Sequence, residues 1–144
     1  MRVPIAVLAL ALVGCGGDDL EAYERIHAEL RPAGAVERAP CGKGSSQITC
    51  SYIAPGSSYE IRAIALERLI QLHFGGWGGT LGDQPVVAWS IDGKTKLVYT
   101  ATKSGPPPGP VPAGSEWSDE WAEVTISIRS DDYHRCAIDC VPRQ

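Results

Sequence analysis

The sequence predicts a small α+β domain: an antiparallel sheet with one main helix packed across it, stapled by disulfides, in the order α-β-β-α-β-β-β. Three observations predict it. Two segments carry apolar residues at helical spacing, while the stretches between and after them alternate apolar with polar at a period of two. The strands come in runs joined by short turn signals, the pattern of hairpins and not of βαβ crossovers. Beyond residue 40 there are four cysteines, Cys41, Cys50, Cys136 and Cys140, an even set that in an exported chain reads as disulfides. A chain of 144 residues is one domain's worth, long enough for a single hydrophobic core.

The first helix starts at the N-cap candidates Asp18 and Asp19. Leu20, Tyr23, Ile26 or His27, and Leu30 form its apolar face, with Glu21 and Arg25 as an i,i+4 pair, and Pro32 and Gly34 end it. Two strands, Ala35 to Cys41 and Gln47 to Ile53, follow, joined by a turn over Gly42-Lys43-Gly44-Ser45-Ser46. That turn faintly resembles a phosphate-binding loop, but it lacks the preceding glycine and a helix behind it. Four cysteines allow three pairings, and pairing neighbours joins Cys41 to Cys50 and Cys136 to Cys140.

The strongest helix covers residues 57 to 73 and opens on Ser57-Ser58-Tyr59-Glu60, a capping box. Ile61, Ala65, Leu66, Leu69, Ile70 and Leu72 give it a broad apolar stripe, and Glu60, Glu67, Arg68 and Gln71 take the other face. His73 falls in the last turn and Gly75 is its natural C-cap. The glycine-rich stretch from Gly75 to Gly82 reads as a loop holding Trp77, either a lid over a ligand or, more in keeping with burial energy, a cover for the core. Pro85 to Ile91 and Lys94 to Thr102 form a hairpin around Asp92-Gly93. With Gly93 in a left-handed G1 bulge, Val87 and Trp89 should share a face with Thr95, Leu97 and Tyr99, leaving Lys94 and Lys96 outside. Residues 104 to 115 hold Pro106, Pro107, Pro108, Pro110 and Pro112 and read as an extended surface connector. Trp117 and Trp121 flank Asp119 and Glu120 in a short helical turn. The last strand puts Val124, Ile126 and Ile128 inward.

The amino terminus carries an address. Arg2 precedes an apolar run from Val3 to Val13, too short for the roughly 20 residues that span a bilayer and proportioned like a signal peptide. It ends in Leu12-Val13-Gly14-Cys15, which resembles the lipobox of bacterial membrane lipoproteins at all four positions. The resemblance implies removal of residues 1–14, a diacylglycerol on the Cys15 thiol, a tether of residues 15–17 and a single domain over 18–144. Two or more acyl chains make such an anchor effectively permanent. So short a tether holds the domain close to the bilayer. Gly16 in place of an aspartate leans toward the outer membrane over the inner one in a Gram-negative envelope.

With Arg2 removed, 12 basic residues face 17 acidic ones, and no basic run occurs, which disfavours nucleic acid as a partner. No nucleophile elbow, zinc-protease helix or phosphate loop is present. The tail from Asp131 to Cys140 gathers Asp131, Asp132, His134, Cys136 and Cys140, a set that includes zinc-ligand types; the spacing is not a common zinc pattern, and an oxidising compartment favours a disulfide. No catalytic residue, metal or cofactor is expected. The leading expectation is a lipid-anchored, non-enzymatic binding or interaction module of a bacterial cell envelope, its partner another envelope protein, with Trp77, Pro107 and Pro108 as contact candidates. An immunity-type inhibitor of a periplasmic toxin or hydrolase is the second reading, and a small envelope hydrolase the third.

Overall fold

The computed structural model of the chain describes residues 18–78, 84–111 and 117–131. The lipobox with Cys15, and the pair Cys136 and Cys140, lie outside these described residues. The fold is the expected small α+β domain. Helix α1 runs over Asp18–Leu30. Strands β1 (Val36–Glu37), β2 (Gly42–Gly44) and β3 (Gln47–Pro55) follow, then helix α2 (Ser58–Gln71) and strands β4 (Phe74–Gly78), β5 (Val86–Ser90), β6 (Thr95–Ser104) and β7 (Trp121–Ser130). The seven described strands make one antiparallel sheet in the order β1-β3-β7-β6-β5-β4, with β2 also pairing β3. The long strands β3, β7 and β6 form its centre. Neither described helix is long and apolar enough to cross a membrane.

Both helices lie on one face of the sheet. Ile48, Cys50, Tyr52 and Ala54 of β3, Val86 and Ala88 of β5, Leu97, Tyr99 and Ala101 of β6, and Ala122, Val124, Ile126 and Ile128 of β7 are all buried, and they join Tyr23, Leu30, Ile61, Ala65 and Leu69 of the helices in one core. The inward set on β7 is the one its alternation predicts. The second face is only half-covered. Thr49 and Ser127 hydroxyls meet there at 3.3 Å and Ser51 and Thr125 at 3.4 Å, cross-strand pairs that suit a partly wet surface.

The staple between Cys41 and Cys50 is present as a disulfide. Its hairpin is tighter than expected. Gly42–Gly44 is strand, not turn, because it continues the register that puts Cys41 opposite Cys50, and only Ser45 and Ser46 remain as the loop between Gly44 and Gln47. The first segment pairs over Val36 and Glu37 alone, and the Arg38 amide adds a bond to the Ser51 carbonyl at 3.0 Å.

Helix α2 starts as its capping box predicts, the Ser57 hydroxyl accepting the Glu60 amide at 3.1 Å. Its end differs: Leu72 is the C-cap and His73, at φ 66°, takes the left-handed position expected of Gly75. The chain must turn one residue after the cap because Phe74, buried at 7 %, opens β4. The glycine-rich stretch is therefore strand through Gly78, not loop. Pairing along the edge of β5, with a bulge between Gly75 and Gly78, supplies hydrogen bonds that outweigh glycine's poor strand propensity. Ile70, expected on the buried stripe, is 62 % exposed, since Ile61, Ala65 and Leu69 already fill the narrow face that meets the sheet.

In the β5–β6 hairpin Gly93 is left-handed at φ 73°, as expected, but the strand facing is reversed. Val86 pairs with Tyr99, Ala88 with Leu97 and Trp89 with Lys96, so Val86 and Ala88 are the core residues and Val87 and Trp89 lie on the second face with Val98 and Lys96. The Lys96 ammonium sits 5.9 Å from the Trp89 ring centroid, and the indole Nε1–H donates to the Asp131 carboxylate at 2.6 Å. An amphipathic indole with a cation and an acceptor needs no core seat. Trp117 and Trp121 do not share a helical turn either: Trp121 starts β7 at 2 % exposure, while Trp117 is 79 % exposed. In the proline segment Pro107 is buried and Pro106 and Pro108 are exposed.

Candidate functional site

A concavity lies between the two helices. Its walls are the C-terminal turn of α1 with the Arg31-Pro32-Ala33 segment that follows, and the Ile61, Ile64, Ala65 and Arg68 stripe of α2; Pro55 and Tyr99 come from the sheet beneath. The volume is about 250 Å³. The sequence builds it locally. Pro32 stops α1 above the sheet, and spacings of three and four residues align Ile61, Ile64, Ala65 and Arg68 on one side of α2. Ile64, 55 % exposed, is an isoleucine out of the core because it forms the rim.

Two guanidinium groups border this cleft. Arg31 donates to the Ala35 carbonyl at 3.1 Å and lies 5.1 Å from the Tyr52 ring centroid. Arg68 reaches across from α2 and donates to the Glu29 carbonyl at 2.9 Å. Each thereby satisfies one carbonyl at or just beyond the C-terminal end of α1, a structural job, with only one of its five N–H donors so engaged.

Tyr99 is the chemically informative residue. It is 1 % exposed and lines the cleft, and its hydroxyl has no hydrogen-bond partner among the described residues. Burial alone raises its pKa above the ordinary tyrosine range, so it is a proton-bearing donor. The hydroxyl is not among the fully enclosed polar atoms without a partner, so it keeps some contact with the space it lines and is open to an acceptor there.

Beside the cleft, His27 and Tyr52 join α1 to the sheet. Their rings stack at an interplanar angle of 16° with centroids 5.6 Å apart, and the Tyr52 hydroxyl lies 2.6 Å from His27 Nε2. Burial, aided by the Arg31 cation, lowers the His27 pKa, and burial raises that of Tyr52, so both stay neutral near pH 7. Tyr52 has no exposed surface, which closes the pair to a substrate. The ligand-type atoms of His27, Cys41 and Cys50 also lie within 4.8 Å of one another, but the sulfurs are bonded to each other and offer no thiolate for a metal.

Of the expected contact candidates, Trp77 falls in β4 with its side chain outside the described residues, Pro107 is buried, and Pro108 is exposed. None lines the cleft. Of the acidic tail Asp131 is described, and its carboxylate is the Trp89 acceptor; His134, Cys136 and Cys140 lie outside. The cleft has no local signature in the sequence. Arg68 reads as a member of the polar helix face and Tyr99 as one more inward residue of β6. The one signal present was a tyrosine in an inward series otherwise made of Thr95, Leu97 and aliphatic neighbours, since a buried phenol implies a partner for its hydroxyl.

No family model, curated protein or solved structure matches this chain.

Proposed function

We propose that this chain is a lipid-anchored protein of a bacterial cell envelope that acts by binding, with the cleft between α1 and α2 as its binding site. The observation that carries the binding half is the Tyr99 phenol, without a hydrogen bond to the described residues and lining a largely apolar concavity flanked by Arg31 and Arg68. Small-molecule sites have this composition, an apolar lining with a few convergent polar groups. Catalysis has less support: His27 is tied to a tyrosine without exposed surface, and the cleft holds no histidine or cysteine. The anchoring half rests on Leu12-Val13-Gly14-Cys15, and the Cys41–Cys50 disulfide is consistent with export to an oxidising compartment.

The anchor is tested by fractionating cells that express the protein and its Cys15→Ser variant. The parent chain is expected in the membrane pellet and the variant in the soluble envelope fraction. A variant that stays in the pellet after a carbonate wash would overturn the lipidation assignment.

A further inference from the structure

We infer that the cleft between α1 and α2 takes a small amphipathic carboxylate, a molecule of about ten heavy atoms with one negative charge and an aromatic or short aliphatic body. This names the ligand class for the binding role proposed above and rests on that reading.

Three features each ask for one property of the ligand. Size comes from the volume: about 250 Å³, where an apolar cavity of roughly 150 Å³ holds a benzene ring, leaves room for a ring and a short side arm. The hydrocarbon body is matched by Leu30, Ile61, Ile64 and Ala65 along the walls. Charge comes from Arg31 and Arg68, set against the single carboxylate of Glu29. The mouth is thus formally cationic on a chain whose overall charge is −4. An anion therefore finds its favourable potential here although the protein as a whole repels it. A guanidinium with unspent N–H donors suits a carboxylate, which takes two of them side by side.

Tyr99 decides between this class and a purely apolar guest. A hydrocarbon would leave the phenolic O–H unpaired, whereas a guest with an acceptor oxygen inside the cleft satisfies it. A phosphate would supply acceptors too, but a dianion is strongly hydrated and gains nothing from the isoleucine walls.

The test is isothermal titration calorimetry of the full chain carrying Cys15→Ser, with 3-phenylpropanoate as the probe and 3-phenylpropanol as its uncharged counterpart. The acid is expected to saturate one site, with the alcohol about ten-fold weaker or worse, the usual loss when a charge-assisted hydrogen bond is unmade. Tyr99→Phe and Arg68→Gln should each weaken the acid by about ten-fold while leaving the unfolding midpoint close to the parent's. Equal binding of acid and alcohol would overturn the anionic class and leave a binding cleft standing. Saturation by neither probe at millimolar concentration would overturn the class and, if a broad panel of small organic solutes also fails, the cleft as a binding site. Unchanged affinity in a folded Tyr99→Phe variant would overturn the role given to its hydroxyl.

Discussion

His27 makes its contact with Tyr52 as a neutral ring, and that choice has a pH consequence. Burial first, and the Arg31 cation second, hold its pKa below the ordinary value of 6.5 in the folded protein. The unfolded chain therefore binds the proton that the folded one refuses, and stability rises with pH where their occupancies differ. The sign is fixed: the contribution is fully present above pH 6.5 and is lost as pH falls from there through the lower folded value. Urea midpoints measured at pH 7.5 and pH 5.5 should drop for the parent protein. They should drop less for His27→Gln, which keeps a polar atom toward Tyr52 but cannot titrate. Equal drops in both proteins would assign the acid sensitivity to other groups. Asp92 works in the same direction lower down, its carboxylate held below its usual pKa by the Ser90 hydroxyl and the Lys94 amide, so its share disappears only as pH falls through and below 3.8.

Helix α2 ends on a conformation that its sequence does not advertise. His73 carries a positive φ of 66°, a state that costs an L-residue with a Cβ about 1–2 kcal/mol and glycine almost nothing. Glycine loses more chain entropy on folding, about 0.5–1 kcal/mol. The balance favours His73→Gly by roughly 0.5–1 kcal/mol, read as a higher urea midpoint with an unchanged slope; a lower midpoint would show that the imidazole makes a compensating contact. The cap at the other end was legible because a capping box is written in four adjacent residues, Ser57 to Glu60, and so was β7, whose ten residues alternate without interruption. What escaped local reading depended on partners distant in the chain. Phe74–Gly78 is a strand only because β5 offers an edge, and Trp89 turns away from the core only because Lys96 and Asp131 receive it. The cleft was illegible for the same reason, since Arg31, Arg68 and Tyr99 converge only when both helices settle on one face.

At the scale of the whole molecule, the two helices put the core on one side of the sheet and leave a hydroxyl-rich surface on the other. Neighbouring positions on the central strand β7 sample both sides. Ile128, fully buried, pairs with Ile48 on β3 and Leu97 on β6; Ser127, half-buried, pairs with Thr49 and Val98. Ile128→Ala removes apolar volume between three central strands and the helices above them, and the close-packed interior recovers only part of the space, so the loss should fall at about 2–5 kcal/mol. Ser127→Ala removes one hydrogen bond to the Thr49 hydroxyl on a surface where water can take its place, a loss of about 0.5–1.5 kcal/mol at most. Urea unfolding of the two variants under identical conditions compares the faces directly, because strand, depth in the sheet and size of the resulting side chain are the same. Comparable losses would mean that the second face is as dry as the first and carries a packed layer of its own. A ratio of two or more places the larger share of the packing energy of these central strands under the helices, where the cleft shares its walls and floor with the core, so that a guest bound to Tyr99 and the two arginines would raise the unfolding midpoint with the logarithm of its concentration once that exceeds Kd.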